Sequence, residues 1–282
     1  VPAAERGVET LVIEHLAAGG QIATVDRITN APGYPDGVAG YELGPSLQFQ
    51  AENAGARFLT DTVEGIACED GVFVLRCAET VVQARAVILA CGSHRKPLGV
   101  PGEESLFGRG VSHCATCDGP FFRGQDMVVV GGGDSAFDEA ALLAQHAATL
   151  TIVHRGPAPT ARARQIAEVA ALPNVRVLAE REVSAILGET GVIGVALSDG
   201  ATLSTAAVFP YVGQAPNSAF LDGLVQLDAD GRVVTDAGMA TSVTGLFVAG
   251  DIRAGFGGLL STGMGDGATA ALSAWHFLKD RG

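Results

Sequence analysis

Positive charge is scarce in this chain: 18 Lys and Arg stand against 31 Asp and Glu, a net charge of −13 at pH 7. No basic run or aromatic-interleaved patch offsets it, so nucleic acid and anionic membrane are poor candidate partners. No apolar run approaches the ~18 residues that a spanning helix needs. The amino terminus shows neither the basic n-region nor the apolar h-region of a signal peptide. Five cysteines, an odd number, do not make a disulfide framework. A second Cys-x-x-Cys and a His-x-x-x-His are both lacking, and with them the ligands of a tetrahedral zinc site. These absences together describe a cytoplasmic protein with one functional disulfide and no metal.

What is present begins with His113-Cys114-Ala115-Thr116-Cys117-Asp118. Two cysteines separated by two residues close a small ring, and one thiol of such a pair is commonly acidified into a nucleophilic thiolate. Just downstream come Asp126-Met127-Val128-Val129-Val130 and then Gly131-Gly132-Gly133-Asp134-Ser135-Ala136. This is a strand followed by a G-x-G-x-x-A turn, with small Ala136 where helix and strand must pack closely. A helix over about 134–146 and a second strand, Leu150 to Val153, complete a βαβ unit, the context that makes the glycine motif specific. After that second strand the chain carries His154-Arg155 rather than an acid. An acid suits the 2′-hydroxyl of NADH and an arginine suits the 2′-phosphate of NADPH, so NADPH is expected, with Arg162 and Arg164 nearby as further cations.

The 282 residues suffice for two domains, and 48% hydrophobic content with 38 glycines implies large cores and many tight turns. Ahead of the dithiol, Ala4 to Arg6 ends at Gly7 as a helix ends at a glycine cap, and Thr10 to Ile13 is a short strand closed by Glu14. An acid about 20 residues beyond a glycine loop takes the ribose hydroxyls of a dinucleotide. Counting back from Glu14 lands before residue 1, so the first domain reads as lacking its first strand and glycine loop. Residues near 40–55 read as a helix leading to Ala56 to Leu59. A β-meander follows, Thr62 to Cys68 and Val72 to Cys77 about a three-residue turn, then Val81-Val82. That register sets Cys68 opposite Val72 and Cys77 opposite Val63, too far apart for a disulfide. Cys68, Cys77 and Cys91 then read as small buried residues. A loop-like stretch from Gly92 to Gly102 suggests a domain boundary. Strands are expected at 175–179, 183–187 and 192–198, then one ending in Gly250-Asp251, and a small-residue helix beginning at Gly265.

Together these pieces resemble the low-molecular-weight, bacterial-type thioredoxin reductase family. The resemblance rests on Gly19-Gly20-Gln21, Asn30 with Pro32-Gly33, Cys114 to Asp118, Gly131 to Ala136 with Glu139, His154-Arg155 and Gly250-Asp251. It implies an α/β fold of two Rossmann-like dinucleotide-binding domains. The FAD domain would be discontinuous, residues 1–94 and 215–282, and residues 95–214 would be an NADPH domain carrying the dithiol. By resemblance, Glu14, Gly20, Gln21, Asn30, Gly250 and Asp251 serve FAD. Gly131, Gly133, Asp134, Ser135, Ala136, Glu139, His154, Arg155 and Arg162 serve NADPH. Cys117 faces the flavin, Cys114 attacks the substrate disulfide and Asp118 is the general acid. The partner would be thioredoxin or a thioredoxin-like protein, and the assembly a homodimer.

Three departures stand against the pattern. The first glycine loop is missing, Arg155 is followed by Gly156 instead of a second arginine, and Gly258-Leu259 stands where the family carries Arg-Gln. A dithiol oxidase using FAD and oxygen, and a remnant with impaired flavin binding, are the alternatives. The two chain crossings, near 93–97 and 213–217, are expected to act as hinges, because sulfur and nicotinamide must each reach the flavin.

Overall fold

The computed structural model describes residues 1–221 and 223–281. The chain divides into two compact units, Val1–His94 with Ala215–Gly282, and Arg95–Gln214.

Unit one opens with a 3-10 turn, Ala4–Arg6, closed by Gly7 at φ 76°. Strand β1 (Leu11–Glu14) is followed by helix α1 (Gly40–Asn53) and then by β2 (Arg57–Thr60), which pairs with β1 in parallel, Leu11 opposite Arg57. An antiparallel meander comes next: β3 (Val63–Glu69), β4 (Val72–Cys77) and β5 (Val81–Ala84).

The β3–β4 turn differs from the sequence reading. Glu69 pairs with Val72 and Cys68 with Phe73, so the turn has two residues, Asp70 and Gly71, with φ 51° and 80°. Positive φ at both central residues matches the right-handed twist of the strands, which an Asp-Gly pair adopts at low cost. An irregularity between Val63 and Gly65 still brings Cys77 opposite Val63. The cysteines also depart from expectation: Cys68 and Cys91 are exposed and Cys77 is half-buried. Cys68 sits one pair from the hairpin tip and Cys91 follows the end of β6 (Val87–Leu89), both beyond the core. The stretch after Gly92, read as loop, contains a short strand, β7 (Ser93–Arg95).

Unit two starts with a one-turn helix, α2 (Ala115–Asp118), and then the βαβ segment: β8 (Met127–Val130), α3 (Asp134–Leu143) and β9 (Leu150–Val153). Helix α4 (Ala163–Ala170), β10 (Val175–Leu178), β11 (Val183–Gly188), β12 (Val192–Leu197), β13 (Thr202–Ser204) and β14 (Ala207–Pro210) complete it. The parallel sheet has the order β10-β9-β8-β14, and β11-β12-β13 is a separate antiparallel sheet. Every residue of β8, β9 and β14 is buried. A parallel strand covered on both faces reads as a near-continuous apolar run, broken here only by Thr151 of β9, whose hydroxyl accepts from Arg176 Nε at 2.8 Å. Met127 and Val129 pack with Phe137 and Leu143 of α3, whereas Val128 and Val130 pack with Val183 and Val195 of the antiparallel sheet. Alternate β8 side chains thus serve two cores, and burying Phe137 alone contributes roughly 1.5–3 kcal/mol.

The chain re-enters unit one through β15 (Gln214–Pro216), adds β16 (Leu246–Val248) in parallel with β6, and ends in α5 (Leu260–Lys279). Helix α5 begins ahead of the expected Gly265, directly after Gly258-Leu259. Phe73, Val87, Leu221, Leu246 and Ile252 form the heart of the unit-one core. β1 with β2, and β6 with β16, remain two separate two-stranded sheets.

Candidate active site

Cys114 and Cys117 form a disulfide, with sulfurs 2.09 Å and Cα atoms 5.3 Å apart. Cys114 caps the start of α2, its Sγ accepting the Cys117 N–H at 3.2 Å, while its own N–H donates to Ser112 Oγ at 3.0 Å. Once the disulfide is reduced, that amide stabilises negative charge on Cys114, the nucleophilic form of a thiol. Cys114 is half-buried and Cys117 exposed; Asp118, half-buried, donates its N–H to the Cys114 carbonyl at 3.0 Å. A surface cleft of about 220 Å³ next to the dithiol is lined by Gly110, Val111, Ser112, Asp118, Phe121 and Phe122. Phe121 is 79% exposed.

The glycine turn lies between β8 and α3, at the carboxyl edge of the parallel sheet, where such folds place nucleotides. Gly131 has φ 145°, and a Cβ there would stand 2.3 Å from the Tyr211 carbonyl oxygen and 3.1 Å from Ala136 Cβ. Only glycine fits, and only a small residue fits at 136, which is fully buried. A Cβ on Gly133, by contrast, would meet nothing closer than Thr160 Oγ1 at 3.9 Å, leaving the backbone before α3 open to a ligand. Ser135 is exposed in the first turn. His154, 4% exposed, packs behind Gly132 with a shielded Nε2 that has no hydrogen-bond partner. Arg155 is exposed. An open backbone at a helix N-terminus, beside an orphaned imidazole nitrogen and an exposed cation, fits a pyridine nucleotide.

Arg162 is placed differently from a simple phosphate ligand. Its N–H donates to Asp134 Oδ1 at 2.8 Å, its Nε lies 3.1 Å from Asp134 Oδ2 and its Nη2 3.6 Å from Asp138 Oδ2. It is already balanced by two carboxylates of α3. Arg164 pairs with Glu168 at 2.8 Å. Glu139 stands apart from the turn's mouth, against Ala115 and Tyr211.

In unit one, Gln21 and Asp251 are joined through Ser93, a residue the sequence did not single out. Gln21 Nε2 donates to the Ser93 carbonyl at 2.5 Å and to Ser93 Oγ at 3.1 Å, and Ser93 Oγ donates to Asp251 Oδ2 at 2.8 Å. Gly20 and Gly250, with φ 50° and 78°, have nothing within 4 Å of an added Cβ. Two open backbone positions beside a fixed carboxylate fit a flavin dinucleotide. Glu14 closes β1, where its Oε1 accepts the Leu16 N–H at 3.4 Å, and Asn30 is exposed. Asp266 and Arg253 were also missed: Asp266 accepts the Gly250 N–H at 3.2 Å and a bidentate grip from Arg253. Glycines flanking Asp266 were the available signal.

A family model for pyridine nucleotide-disulphide oxidoreductases matches residues 2–273. The chain is 38% identical over 281 residues to thioredoxin reductase of Treponema pallidum, covering 98% of this chain and 91% of that protein. It is 38% identical to thioredoxin reductase of Bacillus subtilis over 97% of this chain and 88% of the relative. The crystal structure of Lactococcus lactis thioredoxin reductase superposes with a TM-score of 0.94 at 31% identity, over 99% of this chain and 93% of that one.

Proposed function

The chain belongs to the pyridine nucleotide-disulphide oxidoreductase family as a flavoprotein disulfide reductase of the thioredoxin reductase type, and on that premise we propose that it uses NADPH and FAD to reduce thioredoxin or a thioredoxin-like protein. The observation that carries this reading is the closed Cys114–Cys117 ring in the same unit as an intact strand, glycine turn and helix. A nucleotide site beside a dithiol has a purpose when electrons flow from one to the other. A dithiol oxidase would leave that turn without use.

The flavin and the nicotinamide supply the two-electron chemistry when bound. Gly131, Gly133 and Ser135 would hold the pyrophosphate at the start of α3, with Ala136 allowing the close approach, and Arg155 beside His154 would take the 2′-phosphate. Gln21 and Asp251, linked through Ser93, would hold FAD together with Gly20, Gly250, Glu14 and Asn30. In unit one, β1 is half-buried along its whole length, and Ile13 packs onto the core that holds Val87 and Leu246. Cys117 would be the sulfur on the flavin side of the Cys114–Cys117 disulfide, the bond that two electrons and a proton open to a thiolate and a thiol. Cys114, stabilised as thiolate by the Cys117 N–H, attacks the partner's disulfide, and Asp118 gives a proton to the departing sulfur. Exposed Phe121 and the cleft at Phe122 offer an apolar docking face beside the sulfurs. Among the described residues no helix is long and apolar enough to cross a membrane. The assembly proposed is a homodimer, read by light scattering.

The test is twofold. Purified protein should be yellow, and anaerobic NADPH should bleach it. Thioredoxin should then be reduced with NADPH consumed in equal amount. Flavin that stays oxidised under anaerobic NADPH while oxygen drives dithiol oxidation would establish the oxidase instead.

A further inference from the structure

Glu139 lies in the second turn of α3, on the side facing the dithiol segment. The Tyr211 hydroxyl and the Ala115 N–H lie beside its carboxyl, and Ala115 packs in one core with Ala136, Phe137 and Ala140 of α3. Ala115 is 2% exposed and is the residue covalently joined to Cys114. One carboxyl oxygen of Glu139, Oε2, is shielded from solvent and has no hydrogen-bond partner. A carboxylate so placed has given up water without a full set of replacements, which disfavours its charge.

The charged and titratable groups around it are few. Arg95 lies over the Tyr211 ring, 5.7 Å from its centroid, and donates to the His113 carbonyl. Tyr211 Oη also reaches that carbonyl, at 3.4 Å. His113 itself turns Nδ1 toward the Pro210 carbonyl at 3.3 Å. Asp138, the preceding residue of α3, is engaged by Arg162 and Gln165. Burial pushes the Glu139 pKa up, and Arg95 opposes it only in part. Tyr211 is pushed up as well, by burial and then by the Glu139 charge, so its hydroxyl stays a donor.

We propose that Glu139 is a positioning residue of the dithiol, holding the Cys114–Cys117 segment by its Ala115 amide and tying the ionisation of those thiols to its own. This rests on the reading of Cys114–Cys117 as the reductase dithiol and gives Glu139 that role in place of a nucleotide contact. Reduction replaces a neutral disulfide with a site that carries a thiolate. A thiolate and the Glu139 carboxylate oppose one another, so reduction raises the proton affinity of Glu139, and an ionised Glu139 raises the thiol pKa.

The test uses the full chain. Glu139→Gln keeps an oxygen to accept the Ala115 N–H and removes the charge. Protein reduced with dithiothreitol and freed of it is alkylated with iodoacetamide across pH, and modification of Cys114 and Cys117 is read by mass spectrometry. The expected result is a thiol titration moved to lower pH, with alkylation roughly threefold faster at neutral pH, as loss of one nearby charge gives. Tyr211→Phe removes a hydrogen bond but no charge and should not move the titration in that direction. A second readout needs no variant: the infrared difference spectrum of the wild-type protein, reduced minus oxidised, should show a gain in protonated carboxyl. An unmoved titration in Glu139→Gln, an equal shift in Tyr211→Phe, or a difference spectrum without a carboxyl change would each overturn the proposal. Neither measurement passes electrons from a nucleotide, so a chain that failed to accept NADPH would still report on Glu139.

Discussion

Arg253 grips Asp266 with two contacts, Nε to Oδ2 at 2.9 Å and Nη2 to Oδ1 at 3.1 Å, and the two side chains are only 16% and 9% exposed. Asp266 Oδ2 also receives the Gly250 N–H, so α5 is fastened to the turn that carries Asp251. Removing one partner of a buried pair strands the other charge. Asp266→Asn should cost about 3–5 kcal/mol in urea unfolding. Arg253→Met with Asp266→Leu should recover much of that, because both charges then leave together.

Ser93 links Gln21 to Asp251 across 72 and 158 residues of sequence. Ser93→Ala leaves the half-buried Asp251 carboxylate without that hydroxyl, while exposed Gln21 keeps its bond to the residue 93 carbonyl, a cost of about 1 kcal/mol. The purified variant should carry less flavin per chain, read from the ratio of visible to ultraviolet absorbance. Full flavin content would show that the link is structural only.

The two sulfurs should separate in mutants. Cys117→Ser should still allow NADPH to reduce the flavin while thioredoxin reduction stops. Cys114→Ser should leave a thiolate beside oxidised flavin and a new long-wavelength absorbance. Normal thioredoxin reduction by either variant would refute the assignment.

Arg155 and Arg162 should behave differently toward the two nicotinamide cofactors. Arg155→Ala should weaken NADPH by about 1.5–3 kcal/mol and leave NADH nearly unchanged. Arg162→Ala removes the counter-ion of Asp134 at the start of α3, so both cofactors should weaken by the same factor. Titration calorimetry with each cofactor separates the two outcomes.

Stability should carry the Glu139 signature. Its folded pKa is raised by burial, so its contribution is fully present below the ordinary glutamate range and is lost as pH rises through the folded value. Glu139→Gln lacks that loss. Urea unfolding from pH 4 to pH 8 should show wild type falling relative to the variant as pH rises; parallel curves would contradict it.

The βαβ segment of unit two was legible in sequence because it obeys short-range rules. Strands buried on both faces read as apolar runs, and Gly131 and Ala136 mark close approaches that nothing larger permits. The β3–β4 register was not, since one residue more or less in a turn is decided by the backbone hand of Asp70 and Gly71. The start of α5 was read too late, at Gly265, because Gly257, Gly258 and Gly263 ahead of it favour loop, yet Gly263 sits inside the helix. Ser93 and the Arg253–Asp266 pair were hidden for another reason: their roles exist only once distant segments meet. Glu139 illustrates the limit of motif reading, for it shares α3 with the glycine turn yet touches the dithiol segment.

The pairing of β6 with β16 sets an order of assembly during synthesis. Val87–Leu89 leaves the ribosome long before Leu246–Val248, and the whole of unit two emerges between them. Unit two is continuous in the chain and has its own cores, so it is complete while unit one still waits for the carboxyl-terminal strand and α5. During that interval β6 presents an unpaired edge, a template for pairing with a second nascent chain. A ribosome stalled far enough past Gln214 for that residue to clear the exit tunnel, with Leu246–Val248 not yet released, should therefore display a protease-resistant core from unit two while the segment before it remains open to cleavage.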